Sequence, residues 1–216
     1  MKTVKTGKEK QLAYTSEYRQ FNKAIRNGFY LEAVAIGYAI IEDRLTAFLH
    51  HAGCISRGLE ELKINRAVYP YLRRLLKRDD KYSIKIKNIS VKIEVITAVL
   101  NMSESNARAI DNDIDSFIQS KKRKQSIAKP GFMADLYKQA QALDRARIME
   151  IFERIDPWRT DRNQLIHALL NKTVDTAFEA KKQCAEESYS ITRDLDNYLV
   201  KPFKENNRIR KKYNIQ

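Results

Sequence analysis

The sequence predicts an all-α fold. Six glycines and four prolines among 216 residues leave few points at which a helix must break. Apolar residues return every three or four positions over most of the chain, the period of a helix with one buried face. No Gly-, Ser- or Pro-rich linker interrupts this pattern. One domain over residues 1–216 is therefore expected, with loose basic tails at 1–10 and 203–216. The length suffices for one sizeable core, and no repeat with a period of about 20–50 residues is visible.

The first helix is expected from Leu12 to Arg26, ended by Asn27-Gly28. The second, Tyr30 to His51, carries the clearest pattern: Leu31, Val34, Tyr38, Ile41, Leu45, Phe48 and Ala52 at 3-4 spacing. Ala33, Ile36, Ile40 and Ala47 add a second apolar strip, which marks a central helix stopped by Gly53. Glu32, Asp43 and His50 share its polar side, and Glu42 lies nearer the apolar border. Through Leu59, Leu62, Val68, Leu72, Leu75 and Leu76 the pattern loosens, and Pro70 should start or kink a helix.

This region is basic, with Arg66, Arg73, Arg74, Lys77 and Arg78. Tyr69 and Tyr71 flank Pro70; they can stack bases or pack in the core. Ser83 to Val91 alternates locally like a strand, but Ile86, Ile89, Ile93, Ile96 and Leu100 favour a helix. A turn at 101–106 precedes a short helix marked by Ile110, Ile114, Phe117 and Ile118. Asp111, Asp113 and Asp115 resemble part of a calcium loop but lack its Gly and final Glu, so a solvated acidic face is expected. Lys121, Lys122, Arg123 and Lys124 form a basic loop before Pro130-Gly131.

Phe132, Leu136, Ala140, Leu143 and Ile151 build a helix that ends before Asp156-Pro157, where a new helix should start with Asp as cap. A last helix is expected from Val174 to Leu199, ended by Lys201-Pro202. The segment after it is basic: Lys204, Arg208, Arg210, Lys211 and Lys212.

Lysine and arginine total 41 against 27 acidic residues, a net charge of +14. Such an excess favours a polyanionic partner, nucleic acid or an anionic surface. Cys54 and Cys184 stand far apart without a Cys-x-x-Cys, which suggests a reducing compartment. The longest apolar run, Ala33 to Ile41, is too short to span a bilayer. Met1 is followed by Lys-rich sequence without an apolar signal core, so a cytoplasmic location and no membrane association are expected. The chain has no Walker loop, no G-x-G-x-x-G, no H-E-x-x-H and no G-x-S-x-G, and its His and Cys spacings assemble no zinc site. Neither a metal nor an organic cofactor is expected.

The stretch from Trp158 to Leu170 holds one of only three histidines. On an ideal helix Trp158, Leu165, Ile166 and Leu169 cluster on one arc, with Asn163 and His167 along its border. Arg162 and His167 are five apart, about 140° around the axis, so Arg162 must curl its stem to meet His167 in one cleft. Arg162, Asn163 and His167 read R-N-x-x-x-H. This resembles the R-x4–6-H motif of HEPN domains, small helical bundles that often act as metal-independent ribonucleases. The run from Glu32 to Arg44 likewise looks like an early HEPN core helix. The basic middle section, 66–87, matches neither and would be an insertion in the bundle.

The resemblance implies an endoribonuclease of the toxin or phage-defence kind, with Arg162, Asn163 and His167 in its site. It also implies a homodimer whose two-fold axis brings two His and two Arg into one cleft, and a possible cognate antitoxin of the nucleotidyltransferase type. His is suited to proton transfer near neutral pH, and Arg to holding phosphate oxygens. In such a site the ribose 2′-hydroxyl attacks, and Asn163 orients His167 or touches phosphate. Glu42 either pairs with Arg162 or forms an ordinary surface salt bridge. His50 or His51 offers a second proton carrier within one chain. Arg73, Arg74, Lys77, Lys121, Lys122, Arg123 and Lys124 are the expected RNA contacts. The alternative is a non-catalytic basic helical module that binds nucleic acid or a protein partner.

Overall fold

The computed structural model describes residues 7–56, 63–64, 68–78, 85–86, 88–120, 131–170, 178–205 and 209–213. The fold is all-α. In chain order the helices are α1 (Gly7–Arg26), α2 (Tyr30–His51), α3 (Tyr69–Leu75), α4 (Ile89–Asn101), α5 (Glu104–Ser120), α6 (Phe132–Ala140), α7 (Arg145–Leu170) and α8 (Phe178–Asp194). A π-helical segment, Leu195–Val200, then leads to α9 (Lys201–Glu205) and α10 (Ile209–Tyr213). Among the described residues the strand pairing is a two-residue antiparallel ladder, Ile55 with Ile64 and Ser56 with Lys63. The described residues divide into two compact units, one drawn from 1–43 and 150–195, the other from 44–149 and 196–216.

In the first unit the burial along α2 follows the sequence pattern, with Ala33, Val34, Ile40 and Ile41 inside. α1 and α8 pack through Phe21 and Tyr189, whose rings meet edge-on at 5.3 Å. α2 approaches them at Gly37. A Cβ there would stand 2.5 Å from Ser188 Oγ and 3.1 Å from Phe21 Cζ. Gly37 is therefore required by proximity, not by a turn. Gly37→Ala should lower stability by about 1–2 kcal/mol, because overpacking outweighs the gain in helix propensity. Urea denaturation checks this, and an unchanged or raised midpoint contradicts it.

α7 and α8 are clamped by Arg154, which donates to Glu187 (2.8 Å), Ser190 (2.7 Å) and Asp194 (2.7 Å). The expected helix start at Asp156-Pro157 is not where α7 begins. Asp144 caps it, accepting from the Arg147 N–H at 3.1 Å. The helix then runs through Pro157 because Ile148, Ile151, Phe152, Ile155 and Trp158 form one buried row across that position. Pro157 and Glu153 are exposed, so water can take the Glu153 carbonyl that proline leaves unbonded.

In the second unit Asn88 caps α4, accepting from the Val91 N–H at 2.9 Å, so the residues from Ile89 on are helix. Pro70 sits in the first turn of α3, and Lys77 ends that helix in the left-handed region at φ 51°. The expected acidic face on α5 is corrected at Asp111. Its carboxylate is buried and accepts from the Met133 N–H (3.1 Å) and the Ala134 N–H (3.0 Å), capping α6. Burial raises its pKa, and the two backbone hydrogen bonds oppose that rise.

The C-terminal tail is also corrected over part of its length. Lys201-Pro202 continues into α9, with Phe203 fully buried against Phe48. In α10 Tyr213 donates to Asp135 at 2.5 Å, and Lys212 bonds the same carboxylate. At the other end Gly7–Lys10 already belong to α1. No helix among the described residues is long and apolar enough to cross a membrane.

Candidate active site on the motif helix

The motif occupies the C-terminal half of α7, in the first unit. Trp158 anchors it. The indole is 2% exposed, its Nε1–H donates to the Cys184 carbonyl at 3.0 Å, and its ring stacks on Tyr38 at 6.3 Å. One turn later Arg162 places its guanidinium 4.4 Å from the centre of the same Tyr38 ring. The cation is thus held on an aromatic face, and Nη1 donates to Asn163 Oδ1 at 2.8 Å. Arg162 is half-buried, whereas Asn163 and His167 are exposed.

Leu165 is buried with Trp158, but Ile166, expected on the same arc, is 38% exposed. The helix turns about 100° per residue, so His167 lies on the side of α7 opposite Trp158. The Arg162 guanidinium meets Tyr38 and Asn163 rather than His167. Within one chain Arg162 and His167 start about 140° apart around α7.

Tyr38 is the site residue that the sequence did not single out. Its place in the 3-4 pattern of α2 reads as core, and nothing local marks it as the partner of Arg162. Glu42 is half-buried on α2; the guanidinium contacts are Asn163 and Tyr38. Asn163, expected to serve His167 or phosphate, has its amide oxygen engaged by Arg162. His50 and His51 lie half-buried at the end of α2 with ring centroids 5.7 Å apart.

Among the described cations of the basic segment, two are tied into their own unit. Arg74 pairs with Asp113, and Arg78 forks onto Glu94 at 2.6 and 2.7 Å. Arg73 lies 5.8 Å from the Tyr69 ring. Of the two tyrosines, Tyr71 is fully buried and packs on Phe132, so its role is core. Lys77 is exposed. Lys121, Lys122, Arg123 and Lys124 lie outside the described residues.

Both cysteines are buried. Burial pushes the Cys54 thiol up to about 12. It pushes Cys184 up to about 11, with the Asp161 charge adding to it. Both are free and protonated at neutral pH. Among the described residues no group of three or more His, Cys, Asp or Glu is placed to hold a metal ion.

No protein-family model, no curated protein and no solved structure matches this chain.

Proposed function

We propose that this chain is an HEPN-type endoribonuclease that cuts RNA by 2′-hydroxyl attack, using Arg162 and His167 of two chains in one shared cleft. The observation that carries the reading is the arrangement on α7. Tyr38 and Asn163 hold an arginine, while an exposed histidine lies five residues on along an uninterrupted helix. The cation would stabilise the charged phosphorane, and His167 would move protons to and from the reacting oxygens. A second chain answers the division of the pair between two sides of α7, because a two-fold axis can set His167 of one chain beside Arg162 of the other. A toxin or phage-defence role, with a nucleotidyltransferase-type antitoxin as partner, follows from the HEPN resemblance alone.

The test is incubation of the pure protein with RNA in excess EDTA. Cleavage to fragments ending in 2′,3′-cyclic phosphate is expected, because Arg and His supply the charge and the protons. Intact RNA, or cleavage that only a divalent ion restores, refutes the mechanism.

The non-catalytic alternative has its own observation. Arg162 already has intramolecular partners in Tyr38 and Asn163, as a structural arginine would. Salt-sensitive RNA binding without any cleavage would select that reading.

A further inference from the structure

We propose that one end of the unit formed by 1–43 and 150–195 is a stacking platform for the bases of single-stranded RNA, centred on Phe178 and Phe29. The proposal rests on RNA being the substrate, and it adds which form of RNA and which surface. Phe178 is 62% exposed and Phe29 is 58% exposed, far more than aromatic residues of a packed bundle usually are.

Three contacts place them at the motif end of the unit. Trp158 meets Cys184, and Arg154 meets Glu187, Ser190 and Asp194, so α7 and α8 run antiparallel. That register carries the start of α8, at Phe178, towards the His167 end of α7. Tyr30, the first residue of α2, meets Phe178 edge-on at 5.2 Å and 72°, which brings the start of α2 to the same end. Phe29 directly precedes Tyr30, following a tight turn at Gly28 with φ 75°.

The surroundings select a nucleic acid. Lys181 and Lys182 follow Phe178 at i+3 and i+4, on its side of α8. Arg26 is exposed at the end of α1, three residues before Phe29. Aromatic faces between cations suit a flexible polyanion whose bases are unpaired, because every base offers a π-face and a duplex hides it. The platform would hold unpaired bases at the His167 end of the unit, so cleavage would be confined to single strands and loops.

The test uses binding alone. A short 2′-O-methyl oligouridine, which cannot be cut by 2′-hydroxyl attack, is titrated by fluorescence anisotropy beside an abasic strand of equal length and a duplex. Phe178→Leu keeps an apolar contact for Tyr30 but removes the stacking face. It should weaken binding of the oligouridine about tenfold and leave the abasic strand and duplex unchanged. Phe178→Trp should bind at least as tightly as wild type, and Phe29→Ala should repeat the loss.

Wild-type affinity in both Phe178→Leu and Phe29→Ala overturns the proposal, as does an equal loss for the abasic strand. A change of mass in light scattering on Phe178→Leu also overturns it, since the patch is then a contact between copies. The two readings fail separately. Base-dependent binding without cleavage of unmodified RNA removes the nuclease and keeps the platform; cleavage indifferent to Phe178 does the reverse.

Discussion

His167→Ala is expected to lower the rate of RNA cleavage by roughly 10²–10⁴-fold, the usual worth of one proton-transfer group. That is about 3–5 kcal/mol of barrier. Fold and RNA affinity should persist, because His167 is exposed on α7 and supports no core contact. Arg162→Ala should cost a similar factor through lost phosphorane stabilisation. It should also loosen the packing around Tyr38, since the guanidinium lies on that ring. Arg162→Lys separates the two effects: it keeps a cation but loses the planar fork, so activity should fall while stability changes little. Single-turnover cleavage and denaturant midpoints, measured on all three variants, check this. Wild-type rates in His167→Ala would remove the site. An unfolded His167→Ala would mark the histidine as structural.

The largest expected effect on stability belongs to Trp158. It is 2% exposed, stacks on Tyr38 and donates to the Cys184 carbonyl, so it joins α7 to both α2 and α8. Trp158→Ala should cost about 3–5 kcal/mol, combining the lost apolar transfer with the cavity left behind. Trp158→Phe should cost less but still leave the Cys184 carbonyl without its indole donor, about 1–3 kcal/mol. Circular dichroism during urea unfolding is the measurement, because Trp158 is the only tryptophan and its removal abolishes the tryptophan fluorescence. A loss below about 1 kcal/mol for Trp158→Ala would contradict the packing described for this helix.

How much of this was legible in the sequence depends on the range of the forces involved. α2 was readable from Tyr30 to His51, since Gly28 and Gly53 bracket a regular apolar repeat and both signals are local. The start of α7 was not. Asp156-Pro157 has the chemistry of a helix start, but the buried row from Ile148 to Trp158 crosses it, and Asp144 provides the cap. Tertiary burial outweighed one lost hydrogen bond.

Asp111 fails for a related reason. Local charge alternation says solvent, while its partners are backbone N–H groups of α6, contributed by a distant part of the chain. The motif itself was visible as spacing, and so was the angle that separates Arg162 from His167. The partner that fixes Arg162 was not, because Tyr38 lies on another helix and looked like core. The basic stretch suggested RNA contacts, yet Arg74 and Arg78 turn their charge to Asp113 and Glu94. A count of cations does not reveal which are already paired.

In the proposed mechanism a second chain completes the site. The most direct measurement is cleavage by a mixed dimer, purified through two different tags, of one wild-type chain and one chain carrying both Arg162→Ala and His167→Ala. A shared cleft then keeps a single arginine and a single histidine where two proton carriers are needed. Activity far below half that of the wild-type dimer is expected. Activity of about half would place each complete site within one chain and contradict the shared cleft.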